Sequence, residues 1–335
     1  MERIAFIMGE SFFYWSHIVL TLAVVTGSCV FLALYLGRGG RASGALLAVP
    51  LAVVLSLVLA RFVHWYCRTD SYESLRAAMT QFSAGGFALL GAFAGCALTA
   101  VILRLVRLSR NLPEMLDCMS VAGSLAIALG RLASFFNASD RGQIIEGMTK
   151  LPWVYPVTNA VSGVTEYRLA TFAIQAMVAG LIFAVLLIFY ICGSCKKTLR
   201  DGDTTLLFLL FYGVSQVVLD STRYDSLFFR SNGFVSMVQV LGALGMGLAI
   251  VIFSVRLVKA RGFRLWYVGA WLAITALIGG AGYMEYHVQR HGNQAAFAYS
   301  VMSVCLICVA VLTVVIRRLG IRKKQTAAAY PIDMN

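Results

Sequence analysis

Long apolar runs separated by short polar segments make up most of the chain. Apolar runs of at least about 18 residues recur along its 335 residues, and each predicts a helix long enough to cross a bilayer. The runs are too continuous for the alternating pattern of a membrane β-barrel. The pattern therefore predicts an all-α, polytopic membrane protein with about nine transmembrane helices. We place them at 15–36, 45–66, 79–103, 114–136, 170–192, 204–221, 234–255, 265–285 and 294–316.

The composition excludes a soluble globular domain. The chain is 60% hydrophobic and only 13% charged, and a soluble domain of this size has no interior large enough for that much apolar surface. The first residues, MERIAFIMGESFFYWSH, lack the basic start and the small-residue cleavage site of a signal peptide. We therefore expect the first span to remain in the protein.

The basic residues predict the orientation of the chain in the membrane. If the nine spans alternate, seventeen Lys and Arg residues lie in the connections on one side and nine on the other. Because cytoplasmic loops carry the excess of positive charge, we expect the N-terminus outside and the C-terminus in the cytoplasm. The formal net charge of +13 is thus spread between helices, and we expect no nucleic-acid partner.

The organisation along the chain suggests a membrane core with an addition. We expect one membrane domain at 1–257, two appended transmembrane helices at 258–320 and a disordered cytoplasmic tail at 321–335. The longest connection, from about Asn137 to Tyr167, contains LPWVYP and is expected to be a packed loop on the external side.

Charged and polar side chains occur near the external ends of three predicted helices. Arg61 with His64, and Arg131 with Ser134, are each three residues apart and share a helix face. A third group, at the outer end of the sixth span, contains Gln216, Asp220 and Arg223. Charges inside a membrane are costly and usually face protein, water or a ligand. The arrangement predicts that these groups meet at one depth.

Two interpretations of the arginines are open. Each one snorkels to the interface or pairs with a carboxylate, as Arg223 does if it bonds to Asp220 one turn away. Arg131 has alanines at 127 and 128 and no carboxylate one turn back. Because guanidinium groups bind phosphate through two parallel hydrogen bonds, Arg131 is a candidate for binding a phospholipid headgroup.

The cysteines and histidines suggest neither redox chemistry nor a metal site. Cys192 with Cys195 and Cys305 with Cys308 have the CxxC spacing, but the first pair falls at the predicted cytoplasmic end and the second mid-helix. We interpret them as small apolar residues. The four histidines do not cluster with them, and we expect no metal.

The segment GRLASFFNASDRG, residues 130–142, resembles the signature of the prolipoprotein diacylglyceryl transferases, through Gly130, Arg131, Phe135, Asn137 and Gly142. Other segments match this family in order and spacing over about residues 10–255. They are Arg61, Asp117, LPWVYP at 151–156, Arg168 with Gln175, Asp220 to Arg223, and Ser236 with Gln239.

The resemblance implies a reaction at the outer leaflet of the bacterial plasma membrane. The family transfers the diacylglyceryl group of phosphatidylglycerol to the lipobox cysteine thiol of a prolipoprotein and releases glycerol phosphate. The implied partners are phosphatidylglycerol, other membrane lipids and the signal peptides of prolipoproteins. The reaction implies no cofactor and no metal.

The resemblance also assigns candidate site residues. The candidate catalytic residues are Asp140, Asp220 and His64. The candidate substrate-binding residues are Arg61, Arg131, Ser134, Asn137, Gln216 and Arg223.

Several positions depart from the family pattern. Ala84 replaces a histidine, Ser139 a glutamate, Gln216 an arginine and Gln175 a glutamate. These replacements leave open an alternative function, in which a catalytically diverged paralogue binds phospholipid or lipoprotein without transferring the lipid.

Overall fold

The computed structural model describes residues 4–8, 11–80, 86–137, 141–145, 153–158, 163–196, 199–230, 232–291 and 294–321. Within them the chain is mostly helical. The helices are α1 (Trp15–Gly37), α2 (Ala42–Cys67), α3 (Leu75–Thr80), α4 (Leu89–Leu105), α5 (Leu112–Leu132), α6 (Thr171–Cys195), α7 (Asp203–Ser221), α8 (Met237–Arg261), α9 (Leu265–His291) and α10 (Ala295–Leu319).

Eight of the described helices are long and apolar enough to cross a membrane, so the prediction of a polytopic, mainly helical membrane protein is confirmed. The predicted third span differs from the others. Where one helix was expected at 79–103, α3 ends at Thr80 and α4 begins only at Leu89. The resulting α4 has 17 residues, which is at the short limit for crossing the hydrocarbon core.

Three short antiparallel hairpins correct the all-α prediction. They are formed by β1 (Ile4–Met8) with β2 (Ser11–Tyr14), β3 (Val154–Thr158) with β4 (Thr165–Leu169), and β5 (Phe228–Phe229) with β6 (Asn232–Ser236). Strand β6 also occupies the predicted start of the seventh span, which therefore begins at Met237 instead of 234. Strands β2, β4 and β6 lie just before α1, α6 and α8. The long apolar run of each helix makes the alternation of apolar and polar residues in the short strand hard to recognise.

The β3–β4 hairpin is extended by a neighbouring segment. Residues 141–145 lie beside β4, where the Gly142 N–H donates to the Leu169 carbonyl at 3.1 Å. On its other side the Gln143 N–H donates to the Thr222 carbonyl at 3.0 Å. The connection that was expected to be a packed loop thus contains a strand pair, and it joins the end of α5 to the end of α7.

The chain divides into two compact units, Met1–Met246 and Gly247–Asn335. In the first unit α5 packs against α1, α4, α6 and α7. The mean hydropathy of α5 and α7 is 1.5 and 1.4, against 2.2 to 2.6 for α1, α2, α6 and α8. Polar side chains are tolerated in membrane helices that face protein, which explains why the more polar helices are the inner ones.

A carboxylate on α5 fixes the start of α7. Asp117 is fully buried and accepts hydrogen bonds at 2.7 Å from the backbone N–H groups of Gly202 and Thr205. The first N–H groups of a helix have no partner within the helix. Asp117 therefore acts as an N-terminal cap supplied by another helix, which is a structural role for this family-like position.

The second unit consists of the remainder of α8 with α9 and α10. The Trp271 indole N–H donates to the Ser254 hydroxyl at 3.0 Å, and the Gln289 amide donates to the buried Glu285 carboxylate at 3.0 Å. Both contacts satisfy polar groups inside an apolar helical unit.

Two glycines allow α2 and α4 to approach each other closely. A Cβ added to Gly95 would lie 2.5 Å from the backbone of Ser56, and one added to Gly91 would overlap the backbone of Leu59 and Ala60. Small residues four apart are a common contact surface between membrane helices. This pair fixes the α2–α4 contact.

Gly95→Ala is therefore expected to destabilise the first unit by about 1–3 kcal/mol, the usual cost of overpacking. The change is measured as a lower midpoint of thermal unfolding in detergent. Gly123→Ala on α5 is the control, because a Cβ there has nothing within 4 Å. Equal midpoints for the two variants would refute this account of the α2–α4 contact.

Candidate functional site

A buried carboxylate lies at the centre of the candidate site. Asp220, in the last turn of α7, is 1% exposed. One of its oxygens accepts a hydrogen bond from Arg223 at 3.3 Å, and the other accepts one from the hydroxyl of Ser236. Because an unpaired charge is very unfavourable in an apolar interior, these bonds help to keep Asp220 in this position, together with its hydrogen bond to Ser226.

Arg223 also bonds to a second carboxylate. Its Nε and Nη2 atoms donate to Asp225 at 3.1 and 3.0 Å. The interpretation that Arg223 pairs with a nearby carboxylate is thus confirmed. Arg223 holds Asp220 on one side and Asp225 on the other, and its side chain is only 11% exposed.

Arg131 approaches the same carboxylate from α5. Its side chain hydrogen-bonds with the hydroxyl of Tyr212 and interacts electrostatically with Asp220. It lies in the last turn of α5, where the helix dipole favours a cation. We call Arg131, Tyr212, Asp220, Arg223 and Ser236 the arginine cluster. It brings together the ends of α5 and α7 with the start of α8.

Ser236 joins this cluster to the start of α8 through a capping box. The Gln239 N–H donates to the Ser236 hydroxyl at 3.1 Å, and the Ser236 N–H donates to the Gln239 side-chain oxygen at 3.0 Å. This reciprocal pair is the usual result of Ser-x-x-Gln at a helix start. The Gln239 amide also donates to the Val217 carbonyl at 3.0 Å, which ties α8 to α7.

Arg61 and His64 belong to a second cluster, between α2, α3 and α4. Arg61 has no exposed surface, and it donates to the carbonyls of Ala78 at 2.6 Å and Gly86 at 3.0 Å. His64 Nδ1 lies 2.8 Å from the hydroxyl of Tyr72. We call Arg61, His64, Tyr72 and Gly86 the His64 cluster.

Gly86 is required in the His64 cluster for two reasons. Its φ of +83° favours glycine, and a Cβ would lie 2.6 Å from both the His64 ring and the Tyr72 hydroxyl. The family pattern has a Phe-His-Gly-Gly motif here, and close packing explains its second glycine, Gly86. Gly85 and Ala84, the other positions of that motif, lie outside the described residues.

The remaining candidate residues are Gln216, Ser134, Asn137 and Asp140. Gln216 is buried on α7, one turn before Asp220. Ser134 is buried in a single 3-10 turn, Ala133–Phe135, and Asn137 is half-buried two residues after that turn. Asp140 and Ser139 lie outside the described residues.

An apolar pocket of about 430 Å³ adjoins the end of α5. Its lining residues are Leu132, Phe135, Phe136, Tyr155, Ala170, Phe172 and Ala173. Burial raises the pKa of the Tyr155 phenol above its ordinary value, so this side chain remains neutral near pH 7. The pocket therefore has an uncharged lining, and its first lining residue, Leu132, directly follows Arg131.

The sequence of the chain matches a known family. The family model for prolipoprotein diacylglyceryl transferase matches residues 3–255. The chain belongs to this family. The match includes both clusters and ends within α8, so α9 and α10 lie beyond it.

Individual transferases are similar over the same region. The phosphatidylglycerol–prolipoprotein diacylglyceryl transferase of Streptococcus pneumoniae strain JJA is 28% identical over 262 residues, which is 76% of this chain and 95% of the relative. Those of strains Hungary19A-6 and G54 (serotype 19F) are 28% identical over 265 residues, with the same coverage.

Arg168, another match to the family pattern, is part of the hairpin scaffold. It forms an ion pair with Glu166 at 2.7 Å, donates to the Gly142 carbonyl at 3.3 Å and lies 4.8 Å from the Tyr224 ring centroid. These contacts join β4 to the segments that follow α5 and α7. In this family member Arg168 therefore supports the region around the arginine cluster.

Sequence reasoning missed two members of the arginine cluster. Tyr212 lies eight residues before Asp220, so the two share a helix face, but nothing in that spacing indicates Arg131 as its partner. Ser236 was recognised only as part of a family-like motif. The capping-box pattern at Ser236 and Gln239 was readable from the sequence, whereas its bond to Asp220 was not.

Ser236→Ala is expected to lower the free energy of unfolding by about 0.5–2 kcal/mol, the usual cost of losing an N-cap side chain. The loss of a hydrogen bond to buried Asp220 adds to this cost. Thermal unfolding in detergent measures the change. Ser236→Thr retains the hydroxyl and should stay near the wild type, and similar midpoints for the Ala and Thr variants would contradict the capping role.

Proposed function

We propose that the protein is a phosphatidylglycerol–prolipoprotein diacylglyceryl transferase. The observation that carries the proposal is the arginine cluster, in which two guanidinium groups flank one buried carboxylate beside an apolar pocket. Arginines bind phosphate oxygens through paired hydrogen bonds, and an apolar surface accommodates acyl chains. Membership of the family supplies the type of reaction.

In the proposed reaction the lipobox cysteine attacks the glyceryl carbon that bears the phosphate. The new C–S bond forms as the C–O bond to phosphate breaks, and glycerol phosphate leaves. Arg131 and Arg223 bind the phosphate and stabilise the negative charge on the leaving group, while Asp220 orients Arg223. The thiol must lose its proton, since the thiolate is the nucleophile.

The other candidates have proposed roles around this centre. Asn137 and Asp140 are proposed to face the acceptor peptide, with Asp140, Asp220 or His64 receiving the thiol proton. Arg61, Ser134 and Gln216 are proposed to contribute to substrate binding. No step in this scheme uses a metal or a cofactor.

One observation favours the alternative, a paralogue that binds lipid or lipoprotein without transfer. Asp220 has both oxygens engaged by Arg223 and Ser236, and His64 is bonded to Tyr72. A general base must reach the proton that it removes. If these contacts persist when substrate binds, neither side chain is available to the thiol.

Incubation of the purified protein with phosphatidylglycerol and a lipobox peptide distinguishes the two functions. The expected product is the peptide carrying a thioether-linked diacylglyceryl group, detected by mass. Arg131→Ala should reduce its formation by about tenfold to a hundredfold, as expected for a lost hydrogen bond to a charged group.

Arg104→Ala is the matched control, since Arg104 is exposed at the C-terminal end of α4 and belongs to neither cluster. Absence of product, under conditions in which a pneumococcal relative is active, would refute the transferase proposal. Lipid binding that persists in the wild type and is lost in Arg131→Ala would then support the non-catalytic alternative.

We further propose that the protein lies in the bacterial plasma membrane with its N-terminus outside and its C-terminus in the cytoplasm. The excess of basic residues in alternate connections supports this orientation. Alkaline phosphatase fused after residue 163 should be active, because it is exported, and the same enzyme fused after residue 262 should be inactive. The reverse pattern would refute the orientation.

A further inference from the structure

A row of polar side chains runs along one face of α7. Tyr212, Gln216 and Asp220 are four residues apart, and all three are buried. Tyr212 is bonded to Arg131 and Asp220 to Arg223. Gln216 therefore lies on this face of α7, one turn from Tyr212, the partner of Arg131, and one turn from Asp220, the partner of Arg223.

Gln175, on the second turn of α6, faces this row. Its side-chain amide donates to the Gln216 side-chain oxygen at 3.4 Å. Its own side-chain oxygen is buried, since Gln175 is only 1% exposed, and has no hydrogen-bond partner among the described residues. Buried polar atoms nearly always have a partner, and an unpaired one destabilises the protein.

Most of the buried positions next to Gln175 on its own helix are apolar. The neighbouring buried positions on α6 include Phe172, Ala176, Ala179 and Ile182. The polar side chains at the two ends of α6 have partners in the protein, Thr222 for Thr171 and Cys118 for Tyr190. An unpaired amide oxygen at this position is unfavourable for folding and indicates a group that is needed when something binds.

We propose that the Gln175 side-chain oxygen accepts a hydrogen bond from a hydroxyl on the headgroup of the lipid whose phosphate the arginine cluster binds. The inference rests on the proposed function and assigns to it a residue that distinguishes a hydroxylated headgroup from one without hydroxyls. Gln216 holds the Gln175 amide and sets the direction of its oxygen. Gln175 is thereby the residue that determines headgroup specificity.

The distances suit this assignment. Four residues of α-helix rise about 6 Å, which a three-carbon polyol attached to a phosphate spans, so one ligand reaches from an arginine to the level of Gln216. The 3.4 Å contact between the two glutamines is long for a hydrogen bond. This contact uses the Gln175 nitrogen, so a hydroxyl that donates to the Gln175 oxygen does not have to displace Gln216.

Competition binding to the full-length protein in detergent tests the inference without requiring transfer. Phosphatidylglycerol and phosphatidylpropanol carry the same charge, and only the first has headgroup hydroxyls. We expect the wild type to bind phosphatidylglycerol at least tenfold more tightly, and Gln175→Met to bind both lipids equally. A wild type that does not distinguish the two lipids overturns the inference without any variant.

The stability of Gln175→Met gives an independent readout. Methionine has nearly the same shape and removes the unpaired Gln175 oxygen, but it also removes the donor to the Gln216 oxygen, so the ligand-free variant should unfold at about the wild-type temperature. A purely structural role for the glutamine predicts a lower one. Gln143→Met is the matched control, because the Gln143 amide bonds to the Ser221 carbonyl at 3.2 Å; it should retain the wild-type preference.

The outcomes are separable from those of the transferase proposal. If lipid transfer fails but the preference for phosphatidylglycerol is lost in Gln175→Met, the headgroup role stands for a binding protein. If transfer occurs and the preference is unchanged in Gln175→Met, the headgroup inference is overturned and the transferase proposal remains.

Discussion

The candidate site depends on the bond between Asp220 and its two partners, Arg223 and Ser236. A carboxylate that is 1% exposed persists in an apolar interior only when it is paired and hydrogen-bonded. Meeting that requirement brings the end of α7 against the start of α8, and the same charge interacts with Arg131 on α5. The arrangement of the arginine cluster, on which the proposed phosphate site rests, is thus a consequence of one buried negative charge.

Most of the fold was predictable from the sequence because the membrane leaves few alternatives. Backbone groups in hydrocarbon must be satisfied within the segment, so each apolar run specifies a helix, as in α1, α2 and α6. The three hairpins and the short α4 were not predictable, since their strands and turns lie beside long apolar runs. For the site, Asp220 and Arg223 were readable as a pair on one helix. The partner of Arg131 was not, because Tyr212 comes from another helix.

The two clusters differ in how their cations are used. Arg61 is directed at backbone carbonyls of Ala78 and Gly86, which makes it a bracket between α2 and the elements that follow it. Arg131 interacts with the side chains of Tyr212 and Asp220, and Arg223 with those of Asp220 and Asp225. This difference is why we propose that Arg131 and Arg223, and not Arg61, bind the phosphate of the lipid.

The capping of α7 by Asp117 has a further consequence. One carboxylate holds the first turn of α7 and another, Asp220, is held in its last turn, so α7 is fastened at both extremities to other helices. A helix fixed in this way serves as a rigid reference and does not act as a gate. For the proposed function, a lipid would then enter by movement of other elements, and α6 and the β3–β4 hairpin are the ones that border the apolar pocket.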